Sequence, residues 1–245
     1  MCIRDSNKIK TVSKKLLLAS TSTLYGETFL EYLLPALKTH FKGVTQLLFI
    51  PYARPGGITH KAYTELVSSA FSKTNIAVQA LHEFDDPVQT VTEAQAIYTG
   101  GGNTFVLLNQ LYKNKLIEPL KESLQKGTPY LGTSAGSNIC GVSIQTTNDM
   151  PIQYPPTFEA LGMVPFNINP HYLDLNRNST HMGESRATRI VEYHQYNATP
   201  VIGLREGSWI SVNEDQIVLK GNHTARIFQF DQEAYEIETE RNLPF

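Results

Sequence analysis

The chain has 245 residues, a formal net charge of −2, 41% hydrophobic and 18% charged residues. That length suits one α/β domain, or two small ones, and it buries a core without disulfide staples. The balanced charge offers no electrostatic footprint for nucleic acid or an anionic membrane, no run approaches the roughly 18 apolar residues of a membrane span, and Cys2 and Cys140 form neither a metal-ligand pattern nor a disulfide framework.

Residues 1–12 are polar and unpatterned and are expected to form a disordered leader, with 13–245 as one domain. "KKLLLAS" (14–20) has the basic flank of a signal peptide, but its apolar core is too short, so it reads as a strand and the expected compartment is the cytoplasm. A helix is expected over 23–41, with Phe29, Leu33, Leu34, Leu37 and Phe41 on roughly one face and Pro35 kinking or splitting it. "TQLLFIPYA" (45–53) is the second strand. Tyr63, Leu66, Val67, Ala70 and Phe71 then keep helical spacing.

"NIAVQALHEF" (75–84) reads as the third strand, and Asp86-Pro87 as the cap and first residue of a short helix. "AQAIYTGGG" (94–102) is the fourth strand, 103–125 a helix, and "TPYLGTS" (128–134) the fifth strand. Beyond a loop-rich section (146–179), a helix is expected over 184–196 and a strand in "TPVIGLRE". "SWISV" and "QIVLKG" read as an antiparallel hairpin around 213–215, and "TARIFQF" closes the set. Strands alternating with helices argue a mostly parallel sheet flanked by helices.

In such sheets ligands collect at the carboxyl ends of the strands. Two glycine turns fall there, Gly100-Gly101-Gly102 and Gly132-Thr133-Ser134-Ala135-Gly136. The second is a G-x-S-x-G pattern between strand and helix, which raises a serine hydroxyl on a sharp turn. The Ala135 N–H would point at a developing oxyanion, and Gly102 would supply a second donor. "GGGNTF" is not the G-x-G-x-x-G of a dinucleotide loop and follows the fourth strand rather than the first.

A serine needs a base. Of seven histidines, His171 stands apart, because "FNINPHYLD" alternates apolar and polar residues and then breaks at Asn169-Pro170, just past a strand end. A carboxylate should orient that histidine. Asp149 in "TTNDMP" and Glu206 in "LREGSW" both lie in loops beside strand ends, and spacing does not decide between them.

Together "GGGNTF", "LGTSAGSN", "TTNDMPI", "INPHY", "GESRATRI" and "IGLREGSW" resemble the peptidase E family, the α-aspartyl dipeptidases among serine peptidases, over about residues 16–230. The resemblance implies a class I glutamine amidotransferase-like (flavodoxin-like) fold, with serine where those enzymes carry cysteine. It also implies cleavage of dipeptides with a free amino-terminal aspartate. Carried over by position, Ser134 is the nucleophile, His171 the base and Arg186 the reader of the aspartyl side chain. Glu206 is favoured as the orienting carboxylate, with Asp149 as a structural or substrate-side acid. No metal or organic cofactor is implied. The expected partner is a small peptide, with no nucleic acid or membrane, and homodimerisation stays open.

Typical members carry a tryptophan before the serine, where this chain has Thr133. That departure bears on the substrate more than on the chemistry. The alternatives are a cyanophycinase-like hydrolase of β-Asp-Arg units and a non-catalytic binding module on the same fold.

Overall fold

The computed structural model describes residues 13–175, 180 and 182–245. The expected leader at 1–12 and His181 lie outside the described residues. The first five strands expected from the sequence form one sheet: β1 (Lys15–Ala19), β2 (Gln46–Ile50), β3 (Ala77–Ala80), β4 (Ile97–Thr99) and β5 (Tyr130–Thr133), with β3 at its edge. They lie parallel in the order β3-β2-β4-β5-β1. Two antiparallel strands, β8 (Ser208–Asn213) and β9 (Gln216–Gly221), extend this sheet beyond β1, giving seven strands.

Side-chain alternation along the strands divides the core. Leu16, Leu18, Leu48, Ile50 and Ile97 face helices α4 (Thr104–Lys113) and α5 (Ile117–Gln125), and α3 (Pro87–Glu93) joins them through Val91. Leu17, Ala19, Leu47, Phe49 and Tyr98 face α1 (Leu34–His40) and α2 (His60–Phe71). With both faces covered, β1 and β5 carry no exposed position, which is why they read as unbroken apolar runs.

Three elements depart from the sequence expectation. The helix expected over 23–41 is reduced to a 3₁₀ turn at Glu31–Leu33 and then α1, because Pro35 lacks an N–H and fits only the first turn. The helix expected over 103–125 is two helices, broken where Lys115 takes φ 56° and Asn114 turns its amide back to the Gln110 carbonyl at 2.8 Å. The third strand stops at Ala80 and continues as a 3₁₀ turn.

A second sheet of four strands, in the order β11-β10-β7-β6, was not foreseen as a separate layer. It contains β6 (Asn167–Pro170), β7 (Val201–Leu204), β10 (Ala225–Phe228) and β11 (Tyr235–Ile237). One face joins the main core through Ile168, Ile202, Leu204 and Ile227. The other is closed by Ile190 of α7 (Arg186–Tyr193), packed with Tyr172, Val201 and Phe228. Among the described residues no helix is long and apolar enough to cross a membrane.

Candidate active site

The carboxyl ends of β1, β2, β4 and β5 open on a common edge, as parallel pairing requires. A cleft of about 410 Å³ lies there, lined by Arg54 after β2, Gly101 and Gly102 after β4, Ser134 after β5, and by Asp149 and His171.

Ser134 sits between β5 and the short helix α6 (Ala135–Asn138), at φ 52° and ψ −111°, a conformation that strains any residue with a Cβ. Several bonds hold it there. Its N–H donates to the Ala19 carbonyl at 3.1 Å, and its own carbonyl accepts from the Ser137 and Asn138 amides at 2.9 Å each. The two flanking glycines are needed for space. A Cβ on Gly132 would lie 2.5 Å from the Gly136 carbonyl oxygen, and one on Gly136 would collide with the Thr99 carbonyl. The G-x-S-x-G pattern is thus what lets α6 start hard against β4 and β5.

Ser134 Oγ lies 2.8 Å from His171 Nε2, and His171 Nδ1 lies 2.6 Å from Glu206 Oε1. A carboxylate accepts only, so Nδ1 carries the proton and donates to Glu206, leaving Nε2 to accept from the serine hydroxyl. The imidazole is itself positioned from three sides. His171 takes φ 53°, and its N–H donates to Ser20 Oγ at 2.8 Å. Ser20 in turn donates to the Leu204 carbonyl at 2.8 Å, pinning the end of β1 to the ends of β6 and β7. Asn148 donates to the Pro170 carbonyl at 2.7 Å. Arg205, next to Glu206, bonds Asp174 at 2.8 Å and Glu236 at 2.8 Å, which clamps the segment after His171 to the loop that carries the glutamate. Those carboxylates hold the Arg205 guanidinium above its ordinary range.

The two carboxylates left open by the sequence have different surroundings. Glu206 touches the imidazole. Asp149 does not; its Oδ2 accepts from the Thr104 amide at 2.7 Å, at the first turn of α4, and from Thr147 Oγ1 at 3.1 Å. Asp149 nevertheless lines the cleft. Arg186 opens α7 behind the histidine, its Nη1 3.4 Å from the Pro170 carbonyl, outside the residues that line the cleft. Burial lowers its pKa, and the nearby Glu206 opposes that.

Among the described residues, the N–H groups of Gly102 and Ala135 find no protein acceptor. Within the Gly100–Gly102 turn, where the sequence reading named Gly102 as the donor, Gly101 is the one that backs the serine: a Cβ there would lie 3.1 Å from Ser134 Cβ. A Cβ on Gly102 would instead collide with the Ala53 carbonyl oxygen. Thr133 is fully buried, its hydroxyl 3.1 Å from that of Tyr98. No group of three or more His, Cys, Asp or Glu side chains is placed to hold a metal ion among the described residues.

The family model of peptidase family S51 matches residues 16–220. The chain belongs to peptidase family S51. Two similar relatives span nearly the same length. The S51 chain is 46% identical over 236 residues to a Drosophila melanogaster protein named "Probable alpha-aspartyl dipeptidase", covering 95% of this chain and 97% of that one. It is 46% identical over 214 residues to "Peptidase E" of Streptomyces coelicolor, covering 87% of each. The solved structure of a peptidase from an acI-B1 actinobacterium superposes with a TM-score of 0.72 at 18% identity, covering 96% of this S51 chain and 98% of that one, a likeness of fold.

Proposed function

We propose that this S51 peptidase is a serine exopeptidase that hydrolyses dipeptides with an amino-terminal aspartate through an acyl-enzyme. The observation that carries the reading is the unbroken chain of hydrogen bonds from Ser134 through His171 to Glu206. The names of the 46%-identical relatives supply the substrate class. His171 Nε2 takes the hydroxyl proton as Ser134 Oγ attacks the aspartyl carbonyl carbon. The Gly102 and Ala135 amides meet the oxyanion. The imidazolium, held by Glu206, protonates the leaving amine as the C–N bond breaks, and the same nitrogen then activates the water that releases aspartate. Asp149 is assigned to the substrate side, where its carboxylate suits the free α-ammonium group, and Arg186 to the aspartyl carboxylate.

On this reading the fold is kin to class I glutamine amidotransferases, with β8–β9 as an antiparallel C-terminal ribbon. Support comes from the nucleophile turn at the end of a central parallel strand. The working environment is the cytoplasm, the partner a small peptide, and neither nucleic acid nor a membrane takes part; a homodimer would suit the same chemistry.

The test is turnover of Asp-Leu, Asn-Leu, Glu-Leu and β-Asp-Arg by the purified chain and by Ser134→Ala. Asp-Leu should be preferred, and the substitution should lower turnover by several powers of ten, on the order of 10⁶ if the three residues act as a unit. Preference for β-Asp-Arg would instead favour the cyanophycinase-like alternative. No turnover of any of the four, together with no labelling of Ser134 by a fluorophosphonate, would leave the binding-module alternative.

A further inference from the structure

We propose that Arg54 is a second substrate-binding cation, which holds a carboxylate of the peptide by its guanidinium fork; the proposal rests on the dipeptidase reading above. Arg54 follows β2 and lines the same cleft as Ser134, His171 and Asp149. No Asp or Glu lies within salt-bridge distance of it among the described residues. Arg205, by contrast, is fully occupied by Asp174 and Glu236.

Arg54 is exposed at the cleft rim, but its side chain rests on a ring. Its guanidinium carbon lies 5.2 Å from the centre of the Tyr63 ring, and Tyr63 is buried in α2. The Tyr63 hydroxyl donates to the Gly101 carbonyl at 3.3 Å, and a Cβ on Gly100 would lie 2.6 Å from the Tyr63 hydroxyl oxygen. The platform under Arg54 is therefore braced against the same glycine turn that backs Ser134. A guanidinium already resting on a ring loses less freedom on binding an anion than one free in solvent does.

Charge matching gives the ligand. A dipeptide with amino-terminal aspartate carries two carboxylates and one ammonium group. Asp149 is the acid at the cleft wall, and Arg186 stands behind His171 with its Nη1 on the Pro170 carbonyl, outside that wall. Two carboxylates need two cations, and Arg54 is the guanidinium at the wall. With Arg186 on the aspartyl side chain, the carboxylate Arg54 holds is the C-terminal one of the leaving residue; an exchange of the two arginines' roles would put it on the side chain instead. Both offer the same planar pair of acceptors, and the experiment separates them.

Steady-state kinetics of the full chain, Arg54→Gln and Arg54→Lys are compared on Asp-Leu, its C-terminal amide, and Asn-Leu. A charge-assisted fork to a carboxylate predicts that Arg54→Gln raises KM for Asp-Leu about 10- to 100-fold with kcat within about threefold. Arg54→Lys should fall between, since it keeps the charge and loses the fork. The variant should also lose the wild-type penalty against one neutralised substrate: the amide if Arg54 holds the C-terminus, Asn-Leu if it holds the side chain. An unchanged KM overturns the proposal, as does an equal loss on all three substrates, which a merely structural arginine would give. Those outcomes leave the dipeptidase reading standing, whereas a wild-type chain inactive on Asp-Leu overturns both.

Discussion

Replacing Glu206 with glutamine asks what a carboxylate against His171 contributes. The substitution keeps the shape of the side chain and removes its charge beside an imidazole that becomes cationic in the proposed mechanism. Carboxylate and imidazolium charge centres in such a contact are about 4 Å apart, worth about 4 kcal/mol at an effective dielectric of 20 and about 1 kcal/mol in water. The His171 and Glu206 side chains are 34% and 48% exposed, so solvent screens the pair and the middle of that range applies. A loss of about 2–3 kcal/mol corresponds to roughly a 30- to 150-fold fall in kcat, with little change in KM. The assay is release of p-nitroaniline from Asp-p-nitroanilide, run beside Asp149→Asn. Asp149 makes no contact with the ring, so its neutralisation should act mainly on KM and on stability through the first turn of α4. A Glu206→Gln enzyme within threefold of wild-type kcat would refute the reasoning, and so would an equal fall in kcat for both variants.

The strained backbone at Ser134 predicts that Ser134→Gly is inactive yet melts higher than Ser134→Ala by a few degrees, since glycine adopts φ 52° at no steric cost and a strained position holds about 1–3 kcal/mol; equal melting temperatures would remove strain from the account. His40 is pushed down to about 4 by burial, helped by Lys15 and opposed by its 3.0 Å bond to the Tyr130 carbonyl. Unfolded, it takes up a proton near pH 6.5 that the folded ring refuses, so its contribution is complete above that pH and falls away as the pH drops towards 4. Urea midpoints should therefore show the native chain losing at most about 2 kcal/mol more than His40→Gln between pH 7 and 5, and parallel losses would count against it. Burial pushes the Cys140 thiol up to about 12. In a Cys2→Ser background iodoacetamide should label it only as fast as the chain unfolds, and rapid labelling of the folded protein at pH 8 would contradict that.

Local chemistry made part of this molecule legible in advance. Apolar runs marked β1, β2, β4 and β5 because strands covered on both faces have no polar positions to interrupt them. Asp86-Pro87 marked a helix start, since cap and first-turn preferences act within four residues. The turn at 132–136 was readable for a similar reason: the close approaches that exclude a Cβ lie along one strand–helix connection and its neighbouring strand. Local signals failed where a break depended on packing. The interruption at Lys115 lies between Leu111 and Leu116, both buried, and periodicity alone runs straight through it.

Only the tertiary structure could decide which carboxylate meets His171, because Asp149 and Glu206 are 22 and 35 residues away along the chain and equally plausible beside a strand end. The choice follows from β6 and β7 pairing in parallel, which brings the chain after Pro170 beside the chain after Leu204. Ser20, 151 residues from His171, entered the site the same way, as did Arg54 through its ring contact with Tyr63. Sequence fixes what a residue can donate, accept or refuse within a few positions of itself. Which distant groups it meets is set by strand order and by the pairing of whole elements, since the cost of closing those long loops is met only by the assembled core.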